Sequence, residues 1–407
     1  MQLVEDHIRT LIAADIPIWD VDPYATEVLQ TPEPYYTELR EKGAFVYIPR
    51  YALLACGRYD ETREVFSDWE RFVSSRGVGL ADFHVAKPWR APSIVLEVDP
   101  PYHTRTRTVI SRALSPRAVN DLKDAFAAKA DALITELLDL GEFDAVDDLA
   151  EAFPVSVFPA AVGMREISKR MLVDYGAMAF NALGPENERR SKWLEKASEI
   201  VPWIMEQCKR ESLSPGGFGA TIYAAADADE LTEEEAGMLV RSLLSAGIDT
   251  TVTGIGNTIW CLGRNPEQFE KLKRDPKLAR PAFEEALRYT SPVHSFCRTA
   301  SVDTTVGGVP ISRDTKILCV LGAANLDERK WLNADRFDIE RRPTGHLAFG
   351  VGIHGCVGQI VARAEAEAIL TAIAQKVYSI DIIGEPVWRP NHAIHALDSM
   401  RVRFNRR

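Results

Sequence analysis

Phe349-Gly350-Val351-Gly352-Ile353-His354-Gly355-Cys356-Val357-Gly358 is the stretch whose reading decides the fold of this chain. Four glycines surround a single cysteine, and a histidine stands two residues before it. Apolar periodicity predicts a helix over 357–376 directly after the loop. A glycine-rich turn of this kind brings backbone amides within reach of a sulfur. Amide donors and a helix N-terminus both stabilise a thiolate, which then serves as a nucleophile or as a metal ligand.

Several chemistries share that starting point. Gly350-x-Gly352-x-x-Gly355 fits the spacing of a dinucleotide-binding loop. Such a loop needs a buried strand before it and an acidic residue about twenty positions on. Arg341-Arg342-Pro343-Thr344-Gly345 is no buried strand, and Gln375-Lys376 stands where the acid belongs. A cysteine nucleophile needs a base, and His354 is the candidate that spacing offers. A structural zinc site needs four ligands, of which His354 and Cys356 supply two. A thiolate on haem iron asks for cationic partners to two propionates, a distal helix close to the iron and a scaffold that fixes the loop.

Working outward, the spacing predicts helices over 118–140, 191–210, 233–264, 266–275 and 279–290. Thr232 caps the acidic turn Glu233-Glu234-Glu235. A strand pair is predicted at 44–48 and 51–56 around a Pro49-Arg50 turn, with further short strands at 299–306, 316–321, 378–383 and 400–404. The expected fold is mainly α, of the α+β kind, with small sheets at its edge and a long central helix. At 1.5 Å per residue the 233–264 segment would run roughly 48 Å. Its middle, Ala246-Gly247-Ile248-Asp249-Thr250-Thr251, sets a glycine, an aspartate and two threonines where a helix should be most regular. Glycine weakens the ladder and threonine hydroxyls bond back to carbonyls. The segment is therefore expected to kink around a polar pocket.

No linker, charge block or repeat divides the 407 residues, and 46% of them are hydrophobic; one domain over 1–407 is expected. A net charge of −11 leaves no basic footprint for nucleic acid. Residues 1–7, Met-Gln-Leu-Val-Glu-Asp-His, lack the basic and apolar regions of a signal peptide. No apolar run approaches the ~18 residues of a membrane span. The six cysteines, Cys56, Cys208, Cys261, Cys297, Cys319 and Cys356, show no paired spacing, the pattern of a reduced, cytoplasmic protein.

Together the motifs resemble the cytochrome P-450 superfamily along nearly the whole chain. The cysteine loop is similar to its haem-binding signature, and Glu285-Ala286-Leu287-Arg288 to its Glu-x-x-Arg helix. Asp335-Arg336-Phe337-Asp338-Ile339-Glu340-Arg341 resembles the segment whose arginine completes an ion-pair triad. Ala246-Gly247-Ile248-Asp249-Thr250 is similar to its oxygen-activation motif. The resemblance implies a cytochrome P-450 fold and a monooxygenase carrying haem b, with O2 as cosubstrate and Cys356 as the axial iron ligand. His103 and Arg107 lie one helical turn apart on a shared face. The resemblance assigns them to the haem propionates, with Arg298 and His354. Phe349 would pack near the sulfur, and Ala246 would border the haem. Asp249 and Thr250 would relay protons above the iron, and Glu285, Arg288 and Arg341 would form a structural ion-pair cluster on the proximal side. No flavin or nicotinamide motif is visible. Electrons are expected from a soluble iron-sulfur ferredoxin and its NAD(P)H-dependent reductase, with Arg107 and Arg363 on the face that meets it.

Ser242, Ala246 and Thr250 are spaced i, i+4, i+8 and share one helix face. A serine on an apolar cavity face calls for a polar group on the substrate. Arg90, Ser93 and Arg241 complete a set that suits a carboxylate, while Leu96, Phe180, Leu183, Val293 and Phe296 would sandwich a flat ring. The set is similar to that of bacterial superfamily members that O-demethylate para-substituted benzoates such as 4-methoxybenzoate, with Leu183 where an aromatic residue is usual. The competing readings are a monooxygenase of another carboxylated or terpenoid molecule, a haem sensor or electron carrier, and a haem-free cysteine hydrolase.

Overall fold

The helix that follows the cysteine loop, Gln359–Lys376, anchors the helical core. It buries Val361, Ile369, Leu370 and Ile373, each worth about 1.5–3 kcal/mol when fully removed from water. It packs against Lys123–Leu140 and Ala279–Thr290. The computed structural model describes residues 15–407; the expectation for residues 1–7 lies outside them. Helices dominate, and the sheets are small and peripheral.

The largest sheet runs in the order Val46–Ile48, Leu53–Cys56, Lys316–Val320, Ser295–Ala300, Phe72–Val73. Leu53–Cys56 and Lys316–Val320 run parallel, and the other neighbours are antiparallel. The predicted hairpin at 44–56 is present, its turn a single 3-10 turn at Pro49–Tyr51. The predicted strand at 299–306 is not. Ser295–Ala300 pairs with Lys316–Val320, and Thr304–Val306 belongs to a separate hairpin with Val309–Ile311. Gly307 and Gly308, at φ 55° and 80°, form the tight turn of that hairpin, as a Gly-Gly pair does best.

Two predicted helices also divide. The 118–140 segment becomes Pro116–Asn120, capped by the Ser115 side chain, and Lys123–Leu140. The 191–210 segment becomes Glu188–Glu195, capped by Asn187, and Ala197–Gln207. Strands Glu142–Asp144, Val387–Arg389 and Ala396–Ser399 were too short to leave a periodic signal.

The central segment breaks where its sequence says it should. Glu233–Ala246, opened by a Thr232/Glu235 capping box, ends at Gly247, and Asp249–Arg264 continues the chain. Gly247 is required by space rather than by φ: a Cβ there would lie 2.4 Å from Phe158 Cε1 and 2.7 Å from the Leu243 carbonyl oxygen. Thr250 Oγ1 donates to the Ala246 carbonyl at 2.7 Å and Thr251 Oγ1 to that of Gly247 at 3.2 Å. The two hydroxyls thus bond the carbonyls freed at the break. Among the described residues no helix is long and apolar enough to cross a membrane.

Candidate active site

The cysteine loop is held by its own backbone. The Cys356 amide donates to the Phe349 carbonyl at 2.7 Å, and Gln359 Nε2 donates to the Cys356 carbonyl at 3.0 Å. Gly352 sits at φ 74°, and a Cβ there would fall 2.9 Å from Ser67 Cα and its carbonyl oxygen. Only glycine meets both demands. Burial pushes the Cys356 thiol up, while the Gly358 amide, the Arg107 and Arg363 guanidinium groups and the Gln359 amide pull it back. The other five cysteines are buried; burial takes Cys208 up to about 12 and, with Cys56 nearby, Cys297 up to about 11, despite nearby cations.

Cys356 opens into a cavity enclosing roughly 1520 Å³ of atom-free space, part of it open to solvent. The loop contributes Phe349, Gly350, His354 and Cys356, and the central helices contribute Ser242, Ala246, Gly247 and Thr250. Arg107 and Arg298 line it as well. Arg298 is 1% exposed; its Nη1 donates to the Cys297 carbonyl at 2.9 Å, and its guanidinium lies 4.0 Å over the Phe66 ring. Arg107 Nη2 donates to the Gly355 carbonyl at 2.6 Å. Among the described residues neither arginine has a carboxylate partner, and burial lowers the pKa of both.

His103 and His354 stack edge to face, ring centroids 4.4 Å apart. His103 Nε2 and both ring nitrogens of His354 are buried without a hydrogen-bond partner. His354 Nε2 is 3.8 Å from Asp99 Oδ1, beyond hydrogen-bond reach. Burial, with His354 and Arg107 nearby, takes His103 down to about 4. Against the push of burial, His354, Ser75 and the Ser74 amide hold Asp99 down to about 2. Buried cations and orphaned donors cost several kcal/mol unless paired. A buried arginine, a half-buried one and two unsatisfied imidazoles beside one cysteine fit a dianionic ligand, which haem with its two propionates is.

The predicted ion-pair cluster forms as a closed network. Arg288 Nε and Nη2 grip Glu285 Oε2 and Oε1 at 2.9 and 2.7 Å, and Arg341 Nε reaches Glu285 Oε1 at 2.9 Å. The remaining guanidinium donors of both arginines end on carbonyls of residues 325–336. Glu285 and Arg288 are fully buried. Arg363 is already engaged: it pairs with Glu284 and lies 4.6 Å over the Phe349 ring. Glu284, also bonded by His346, is held down to about 2 despite burial.

Asp249 departs from its expected aim. Its carboxylate does not line the cavity; Oδ1 accepts from Arg389 Nη2 at 2.8 Å, and Oδ2 is buried and unpartnered. Thr250 does line the cavity. Nothing in the sequence near Asp249 points to Arg389, 140 positions on.

At the far end of the cavity, Ser93 Oγ and Ser242 Oγ face each other at 3.4 Å. Arg90 lines the same end, but its Nη1 donates to Glu97 Oε2 at 3.0 Å. Arg241 stops short of the cavity: its Nη2 donates to the Ala91 and Pro92 carbonyls at 3.0 and 3.3 Å. Leu96, Phe180, Val293 and Phe296 form apolar walls. Leu183 packs behind them against Phe180 and Ile394, and borders a smaller neighbouring pocket that Arg90 and Glu97 also line. Glu97 is the functional residue that motif reading missed; its one signal is its place four residues after Ser93.

Residues 170–377 match the family described as Cytochrome P450. Cytochrome P450 CYP199A2 of Rhodopseudomonas palustris is 48% identical over 392 residues, which are 96% of this chain and 95% of that protein. The 6-deoxyerythronolide B hydroxylase of Saccharopolyspora erythraea is 31% identical over 313 residues, 75% of this chain and 77% of that protein. Among solved structures, cytochrome P450 CREJ in complex with (4-ethylphenyl) dihydrogen phosphate superposes with a TM-score of 0.85 at 27% identity, over 93% of this chain and 98% of that one. The chain thus belongs to the cytochrome P450 family, whose members are monooxygenases carrying haem b and using O2 as cosubstrate.

Proposed function

We propose that this cytochrome P450 oxidises a small aromatic carboxylic acid, a para-substituted benzoate of the 4-methoxybenzoate type, by O-demethylation or hydroxylation. One observation carries the reading: where Leu96, Phe180, Val293 and Phe296 wall the cavity, two hydroxyls face each other, Ser93 Oγ and Ser242 Oγ at 3.4 Å, with Arg90 also in the lining. Ser242 Oγ donates to the Met238 carbonyl at 3.0 Å; a carboxylate there would draw its hydrogen, and that of Ser93, away to itself in a positive field. Leu96, Phe180, Val293 and Phe296 offer flat apolar contact to a ring. The CREJ complex supports this, since (4-ethylphenyl) dihydrogen phosphate is itself a para-substituted aromatic anion.

Cys356 would hold the haem iron through its Sγ, and Arg107, Arg298, His103 and His354 would hold its propionates. When bound, haem supplies the one-electron chemistry that activates O2 and leaves one oxygen atom on the substrate. Ala246, a small residue on the cavity face, leaves room beside it. Thr250 Oγ1, which donates to the Ala246 carbonyl, would turn its hydrogen to that face as proton donor, and Asp249, held off the cavity by Arg389, would resupply the proton by swinging out of that ion pair. For a methoxy substrate, oxygen enters a C–H bond of the methyl group, and the hemiacetal parts into phenol and formaldehyde. The second oxygen atom leaves as water, taking two protons and two electrons.

The electrons would come from a soluble iron-sulfur ferredoxin and its NAD(P)H-dependent reductase. A cytoplasmic setting and one domain over 1–407 complete the proposal. In a spin-state titration of the holoenzyme, 4-methoxybenzoate is expected to bind at least about tenfold more tightly than methoxybenzene, roughly 1.4 kcal/mol. Equal affinity contradicts the reading.

A further inference from the structure

Glu97 has no part in the chemistry above, yet it is built into the carboxylate end of the cavity. Its side chain is 2% exposed. Oε2 accepts from Arg90 Nη1 at 3.0 Å and from the Ser93 amide at 2.7 Å. Ser93 answers locally: its carbonyl accepts from the Glu97 amide at 3.0 Å, and its Oγ accepts from the Leu96 amide at 3.2 Å. One carboxylate oxygen thus fixes both the turn that aims the Ser93 hydroxyl and the guanidinium beside it. From the other side Arg241 ties down the Ala91 and Pro92 carbonyls. Arg90 and Glu97 also form the wall shared with the smaller pocket that Leu183 borders.

The charged side chains hydrogen-bonded to the turn of residues 91–97 are Arg90, Arg241 and Glu97; Lys87 and Arg190 line the neighbouring pocket behind it, and Lys316 acts on Glu97 from farther off. Two guanidinium groups against one carboxylate leave a single positive charge, which one substrate carboxylate neutralises. A buried charge that has lost its partner is costly, so the clamp is balanced only when it holds a monoanion.

We propose that Glu97 is a specificity-determining positioning residue, which orients Ser93 and Arg90 and sets the clamp to one net positive charge, selecting aromatic monocarboxylates. The inference rests on the benzoate reading and adds the rule by which the site counts charge.

The test compares Glu97→Gln holoenzyme with wild type, by spin-state titration and by calorimetry. The ligands are 4-methoxybenzoate and 4-methoxybenzamide, its neutral counterpart. The glutamine keeps an oxygen for the Ser93 amide and removes the charge. Affinity for 4-methoxybenzoate is expected to rise about tenfold at low salt and to lose most of that gain at high salt, while affinity for the amide changes less than about threefold. The double variant Arg90→Gln/Glu97→Gln takes the added charge away again and is expected to lose the gain of Glu97→Gln. Unchanged or weaker benzoate binding in Glu97→Gln, or an equal change for the amide, overturns the role of Glu97. Should that variant not load haem, Glu97→Asp replaces it: the charge is kept but withdrawn from Arg90 and the Ser93 amide, so affinity for 4-methoxybenzoate is expected to fall more than about threefold, and unchanged affinity overturns the role instead. A wild-type enzyme that binds the amide as tightly as the benzoate fails the benzoate reading itself, whatever the variants do.

Discussion

Thr250 is the residue whose role is most sharply exposed to experiment, because it lines the cavity while its acidic neighbour does not. Thr250→Ala removes one hydroxyl and its bond to the Ala246 carbonyl. The variant is expected to retain haem and substrate affinity but to release most of its electrons as hydrogen peroxide, measured as the ratio of product to NAD(P)H consumed. An unchanged ratio removes Thr250 from the relay. Residue placement was legible in the sequence where a local motif carries it. Cys356 and His354 share one loop, and Glu285 and Arg288 share one helix turn. It was illegible where a distant partner decides. Asp249 is turned from the cavity by Arg389, and Arg90 is engaged by Glu97. An arginine in a sequence does not announce its counter-ion, so Arg241 and Arg363 read as free cations and fold as bound ones.

Among the elements, the central pair of helices shows most directly how composition becomes geometry. A glycine and hydroxyl side chains predicted a kink, and the chain breaks at Gly247-Ile248. The contact that requires the glycine, the Phe158 ring, was not predictable, because it arrives from a separate helix, Ala152–Val162. Gly247→Ala forces a Cβ to within 2.4 Å of that ring and should destabilise the fold by about 1–3 kcal/mol. A fall in the urea midpoint at constant slope measures this; no fall would show that Phe158 swings aside at little cost. Apart from 299–306, the predicted strands lie within two residues of the observed ones, while three predicted helices divide. The error at 299–306 arose because Ser295–Ala300 is buried on both faces and lacks alternation, so its periodicity does not separate it from its surroundings.

Taken whole, the molecule is held on either side of its cavity by buried charge. Glu285, Arg288 and Arg341 form a satisfied network, and removing one member strands the rest at a cost of about 3–5 kcal/mol. Glu285→Ala is therefore expected to yield protein without haem; haem-replete variant protein, judged by its absorbance ratio, would contradict this. Buried histidines add a pH dependence. Burial takes His294 down to about 3 and His392 down to about 4, against an ordinary value near 6.5. The unfolded chain binds more protons than the folded one from about pH 6.5 down to about pH 4 at His392 and about pH 3 at His294, so their stabilising effect is complete above that window and lost as pH falls through it. Asp99 and Glu284, both held down to about 2, add a loss of the same sign only in stronger acid. Urea midpoints should already decline between about pH 7 and pH 5; a flat profile there would mean these histidines are hydrated. The account as a whole turns on Cys356. The most direct test is the carbon monoxide difference spectrum of the reduced holoprotein, wild type beside Cys356→His. Wild type should give the strongly red-shifted Soret band of thiolate-ligated haem, and the variant should bind haem without it. A wild type lacking that band, or a variant keeping it, would contradict the assignment of Cys356 as the iron ligand.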